Sequence, residues 1–224
     1  MRLDRSRTPD IRLPLAVMIT EAEHTDSRHP RRRRRVLIAL GVVIAVLAAG
    51  TVVAFQTGAV RTAQAWLDSR NRAYPAVDTA LLTPVQAKLV SVTRAEFDAQ
   101  PAGTKYSEGV EEQWCADFVS WVMRAAGREF SNPNSGSWRI PGVYTLTEYF
   151  QSEKRFRPAG SGYTPKLGDV MLYGHDSPFR QHTNIVLTVD DGVVTTVGGN
   201  EWGGHVRISR FDLSDRGLVG IGVL

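Results

Sequence analysis

The stretch Trp114–Gly127, WCADFVSWVMRAAG, decides the fold. Cys115, Phe118, Val119, Val122 and Met123 stand at i, i+3, i+4, i+7 and i+8, one face of an amphipathic helix, and Gly127 ends it. A similar pattern upstream, Pro84–Ala99, sets Leu89, Val92 and Phe97 along one side of a second helix. Downstream, residues 131–166 are rich in Ser, Asn, Pro and Gly and read as a long loop, with one short helix over the apolar and aromatic patch Val143–Phe150. Then the period shortens. Asp169–Tyr173, Asn184–Val189, Val193–Val197, His205–Ser209 and Leu218–Val223 read as strands, and Asp190-Asp191-Gly192 joins two of them as a tight hairpin. Helices first and an antiparallel sheet afterwards indicate an α+β domain.

Moving outward to the N-terminus, Val36–Phe55 is twenty residues without a charge. At about 1.5 Å per residue it spans the hydrocarbon thickness of a bilayer, roughly 30 Å. Arg31–Arg35 abut one end and only Arg61 lies near the other, so the positive-inside rule leaves the N-terminus cytoplasmic and exports the residues beyond Phe55. A cleaved signal peptide has a shorter lead and a shorter apolar run. A buried core helix needs more surrounding protein than this chain offers. The expected organisation is a basic disordered cytoplasmic tail (1–35), a transmembrane helix (36–55), an extracytoplasmic stalk (56–81) and a catalytic domain (82–224).

Charge obeys the same division. The chain of 224 residues carries +4. Residues 1–35 alone hold 10 basic and 5 acidic side chains, so the remainder is close to neutral. Nucleic-acid binding is therefore excluded for the folded part, which lacks the basic excess that phosphate contacts need. Composition near the globular average, 42% hydrophobic and 22% charged, excludes wholesale disorder and a multi-span membrane protein.

Cys115 is the only cysteine, so the exported domain has no internal disulfide. It reads as a small core hydrophobe, as half of an intermolecular disulfide, or as a nucleophile. Its place at the start of a helix favours an anion, which fits the nucleophile. A thiolate needs a proton shuttle, normally a histidine held by a polar orienter. His24 and His29 lie in the tail, His175 in a loop and His205 at a late strand, whereas His182 stands at the mouth of the strand entering the hairpin. Across that hairpin the chain returns through Gly198-Gly199-Asn200, which makes Asn200 a neighbour of His182 and its candidate orienter. No ligand spacing such as His-Glu-x-x-His occurs, so neither a metal nor another cofactor is expected.

Trp114-Cys115-Ala116-Asp117-Phe118-Val119, followed by a helix and Ala125-Ala126-Gly127, resembles the nucleophile helix of CHAP domains, the cysteine, histidine-dependent amidohydrolases/peptidases related to the NlpC-type cell-wall peptidases on a papain-like fold. Pro165-Lys166-Leu167-Gly168-Asp169-Val170 resembles the entry to that family's first core strand, His182–Val189 its histidine strand and Gly198-Gly199-Asn200 its polar third position. The resemblance runs from about residue 82 to the C-terminus. It departs at Gly198, where many members carry Glu, so the ring would be oriented by Asn200, with Glu201 a weaker substitute.

The resemblance implies hydrolysis of a peptidoglycan amide bond, by an N-acetylmuramoyl-L-alanine amidase or a peptide endopeptidase, with Cys115, His182 and Asn200 catalytic. The backbone N–H of Cys115 would face the oxyanion, and the Gln113 side chain could add a donor. Tyr106, Trp114, Trp138, Tyr173 and Trp202 are candidates to line a groove; Trp114, Gln113, Trp138 and Trp202 are taken as substrate-binding. Expected partners are the wall peptide and, through one helix, the cytoplasmic membrane. A degenerate wall-binding scaffold and an acyl transferase are the competing readings.

Overall fold

The computed structural model describes residues 30–56, 67, 72–214 and 216–224. The expected tail and most of the expected stalk lie outside them. The chain divides into two compact units at residues 53/54. The first contains most of helix α1, Pro30–Gln56, whose stretch Arg34–Val52 is long and apolar enough to cross a membrane. Its described side chains are exposed, as a helix that is apolar all round requires of a non-polar surrounding. A bilayer anchor and an export signal both fit these properties.

The second unit is an α+β fold, as the change of sequence period indicates. Helix α2, Pro84–Ala99, starts where Thr83 caps the backbone N–H of Gln86 while the Gln86 side chain returns to the Thr83 N–H, with Pro84 at the first helical position. It ends at Gln100, which takes a left-handed conformation (φ 48°). Helix α3, Cys115–Ala125, is the helix of the opening motif, and α4, Val143–Ser152, is the short helix of the long loop.

Six strands form one antiparallel sheet in the order β1-β6-β2-β3-β4-β5. They are β1 (Phe156–Pro158), β2 (Val170–Tyr173), β3 (His182–Asp190), β4 (Val193–Glu201), β5 (His205–Asp212) and β6 (Leu218–Gly222). The edge strand β1 was not expected; its three residues are too few to show a period. The β3–β4 turn has Asp191 at φ 46° and Gly192 at φ 75°, the paired positive values that match a hairpin's twist.

The sheet is buried on both faces. Leu89 of α2 and Phe118, Val119 and Val122 of α3 pack against Ile185, Leu187, Val197 and Ile208 on one face. Met171, Tyr173, Val186, Val194 and Phe211 form a smaller core on the other. Odd and even positions of a strand therefore serve different cores, which is why β2 reads as an unbroken apolar run.

One contact fixes where α3 begins. Trp114 is buried, stacked on Tyr106 at 5.1 Å between ring centroids, and close to two glycines. A Cβ on Gly103 would lie 2.3 Å from its indole, and one on Gly199 would lie 2.4 Å from the indole and 2.5 Å from the Phe118 Cβ. Neither ring has room to yield. Gly199→Ala is accordingly expected to destabilise the domain by roughly 1–3 kcal/mol through overpacking, read as a lower urea midpoint at unchanged slope.

Candidate active site

Cys115 occupies the first position of α3, and the helix's first described ladder bond runs from Phe118 N to Trp114 O (2.9 Å). The N–H groups of Cys115, Ala116 and Asp117 are thus not spent on that ladder, which leaves donors and the positive end of the dipole beside the sulfur. Cys115 is buried yet lines, together with His182, a cleft of about 840 Å³, and its side chain is close enough to act electrostatically on the His182 ring. A second cavity of about 280 Å³ shares Gln113, His182, Asn200 and Trp202 as walls and continues toward Gly203 and Gly204.

His182 is the first residue of β3, paired with Tyr173 of β2. The ring lies beside both Tyr173 (6.4 Å, 18°) and Phe179 (5.6 Å, 22°), which are themselves 5.1 Å apart. Its Nε2 faces Glu201 Oε1 at 3.1 Å. Glu201 is itself held on both oxygens. Asn184 Nδ2 donates to Oε1 (3.4 Å) and Ser209 Oγ to Oε2 (3.2 Å), while Asn184 Oδ1 accepts from the Tyr173 hydroxyl (3.0 Å). Four neighbouring strands therefore build one buried polar network, and each member fixes the next.

Asn200, the expected partner of the ring, does not meet it; the side chain that does is Glu201. Ile185 pairs with Val197, and continuing that register sets His182 opposite residue 200. However, the β4–β5 pairing shifts between Gly198 and Glu201, and Asn200 takes φ 54°. This irregularity breaks the alternation, so the side chain reaching the histidine belongs to the next residue. Asn200 instead donates Nδ2 to Gln113 Oε1 at 2.6 Å. Gly198 is the complement of this change: a Cβ there would come within 2.4 Å of Glu201 Oε1 and 2.9 Å of the Asn184 Cβ. The Glu201 carboxylate thus stands one residue after Asn200, in space that the missing side chain at Gly198 leaves free.

Electrostatics follow from this packing. Burial, the largest single influence, would push the His182 pKa down, but the Glu201 carboxylate and the Cys115 side chain together outweigh it and raise it from 6.5 to about 10. The imidazole is therefore a cation at neutral pH. Burial raises the Tyr173 hydroxyl well above its usual value, which keeps it a neutral donor to Asn184. Behind the cleft, Arg139 donates Nε to Asp117 Oδ1 at 2.7 Å and pairs with Glu112. Burial first, and Glu108 second, push the Asp117 carboxyl up to about 7, a shift that the Arg139 contact opposes by favouring the ionised form.

The other expected residues divide. Gln113 and Trp202 line the cleft, and Trp202 comes within 6.3 Å of Phe179 between ring centroids. Trp114 does not line it: its indole is core, and its role is to hold the start of α3. Trp138 does not line it either, and lies under the Arg124 guanidinium at 4.8 Å. Tyr106 and Tyr173 are fully buried. Sequence reasoning missed Asn184, Ser209 and Phe179; a polar residue at an inward strand position was the only signal for the first two. Among the described residues no group of three or more His, Cys, Asp or Glu is placed to hold a metal.

Residues 105–200 match the family model described as "CHAP domain". No curated protein matches the chain. Two solved structures are similar. "The crystal structure of Ly7917" gives a TM-score of 0.41 at 16% identity, and "The crystal structure of Ly7917 with the hydrolyzing product of MDP" gives 0.40 at 17%. In each case 62% of this chain and 62% of the other are covered, so the chain spans less than two thirds of either.

Proposed function

From the match of residues 105–200 to the CHAP domain, we propose that the chain is a peptidoglycan hydrolase, and that it cuts an amide bond with Cys115 as nucleophile and His182 as proton shuttle. The observation that carries this reading is that Cys115 and His182 line one cleft while the His182 Nε2 meets the buried Glu201 carboxylate. The attacking step requires the sulfur as a thiolate beside the protonated ring. Attack on the carbonyl carbon forms the Cys115 S–C bond and places charge on the carbonyl oxygen, which the free N–H groups at the start of α3 face. Collapse breaks the C–N bond, and His182 gives its proton to the leaving amine. Water, deprotonated by the now neutral ring, then hydrolyses the thioester and restores the cysteine.

Gln113 has a defined part in this scheme. Because its Oε1 accepts from Asn200, its Nε2 is left as the donor for the oxyanion. Asn200 is thus a positioning residue acting through Gln113, and Glu201 the one acting through His182.

The apolar helix fits a single-pass anchor with the basic N-terminus inside and residues from 82 onward as the hydrolase outside. Anchoring would confine cutting to the membrane-facing surface of the wall.

Alkylation tests the paired thiol. Iodoacetamide near neutral pH should label the folded protein at Cys115 rapidly, and His182→Ala should slow labelling at least about tenfold. Equal labelling rates in the two proteins, measured by mass spectrometry, would remove the paired-thiolate reading.

A further inference from the structure

The turn between β2 and β3, residues 174–181, forms one wall of the cleft and carries a cation that no described residue neutralises. Its base is fixed. Ser177 is buried, and its N–H donates to Gly174 O (3.2 Å) while Gly174 N donates to Gly217 O (2.9 Å). A Cβ on Gly217 would lie 2.2 Å from the Ser177 Cα, so the two backbones are in closest contact there. From this base, Ser177 Oγ accepts from Phe179 N (3.2 Å) and Ser177 O from Arg180 N (2.8 Å), and Arg180 takes φ 58°. That left-handed step is costly for a residue with a Cβ, and the surrounding bonds impose it.

The result is an exposed Arg180 on the cleft wall, two residues before His182. Its guanidinium makes no hydrogen bond, ion pair or ring contact among the described residues. The acids of the cleft do not satisfy it. Glu112 is paired with Arg139, and Asp176, on the same turn, is exposed and makes no ion pair among the described residues. Phe179, next to Arg180, packs on the His182 ring, which ties the position of this wall to that of the shuttle. A planar fork of donors presented this way matches a carboxylate.

We infer that Arg180 is the specificity residue of the cleft and takes a free carboxylate of the wall peptide lying close to the amide that is cut. This rests on the hydrolase reading above and adds its substrate class: an anionic peptide rather than a neutral, amidated one. A charge-assisted hydrogen bond contributes on the order of 1.5–3 kcal/mol, or about 10- to 100-fold in kcat/KM.

The test uses the full chain in detergent and two preparations of purified sacculi, one untreated and one whose carboxylates have been converted to methylamides with carbodiimide and methylamine. Release of soluble fragments is measured at limiting substrate. Wild type is expected to digest untreated sacculi at least about tenfold faster than amidated ones. Arg180→Ala should bring the untreated rate down to the amidated one and leave the latter unchanged, with Arg180→Lys in between. Equal wild-type rates on the two preparations, or an equal loss on both in Arg180→Ala, would overturn the carboxylate assignment while leaving hydrolysis intact. Release from neither preparation by wild type would instead count against the hydrolase reading itself. Urea unfolding of each variant separates a binding defect from a folding one.

Discussion

Full chain carrying Cys115→Ala should release no soluble fragments from purified sacculi above background, a drop of at least about 10³-fold, while still sedimenting with them. The size follows from the chemistry. Without the sulfur there is no covalent step, and what remains of the site is a cleft with donors at a helix start, which can bind an acyl group but cannot split the reaction into two easier halves. Cys115 is small, and removing its Sγ changes the side-chain volume little, so thermal midpoints should stay close to those of wild type. The same pair of measurements separates enzyme from scaffold. Equal release by the two proteins, with both bound to sacculi, would mean that the cleft grips the wall without cutting it.

The second large effect concerns the carboxylate on the histidine. Glu201→Gln keeps the shape and a hydrogen-bonding side chain but removes the charge that raises His182. At pH 7 a loss of about 10² in kcat or more is expected, since the ring loses the carboxylate that orients it and stabilises its charge as the reaction proceeds. The pH profile is the sharper readout. In wild type the alkaline limb should lie near 10; in Glu201→Gln, with burial no longer outweighed, it should fall by more than one unit. Stability obeys the same sign. A histidine whose folded pKa exceeds its unfolded value near 6.5 stabilises fully below 6.5, and that contribution fades as pH rises toward 10. Between these values Glu201→Gln should flatten the dependence of unfolding free energy on pH. Asn200→Ala should leave the alkaline limb in place, because Asn200 meets Gln113 and not the ring. A limb that moves in Asn200→Ala and stays fixed in Glu201→Gln would return the orienting role to Asn200.

Much of the fold was readable because it is written in periods. The helix of Cys115–Ala125 follows from five apolar positions, and its start follows from where they begin. Pro84–Ala99 follows from Leu89, Val92 and Phe97 along one side, and the structure adds the cap by Thr83 and Gln86. The β3–β4 hairpin follows from Asp191-Gly192, which tolerate the backbone that the turn requires. Features without a period were less visible: β1 has three residues, and the β4–β5 irregularity leaves no mark beyond two adjacent glycines.

The site divides in the same way. Cys115 and His182 could be named from residue type and position, since one is the only thiol and the other opens a strand beside a hairpin. An indole next to a cysteine looks the same in sequence whether it faces a cleft or a core, and Trp114 is buried. Only the close approach of Gly103, Gly199 and Tyr106 shows which.

Local order in the chain settled the helix that carries the sulfur, the strand that carries the imidazole and the apolar segment near the N-terminus. These depend on neighbours a few positions apart, and short-range periodicity records such neighbours. Which side chain meets the imidazole was decided in three dimensions. A one-residue shift in pairing reverses the facing of every position after it, and the carboxylate at 201 finds room only because position 198 on the same strand has no side chain.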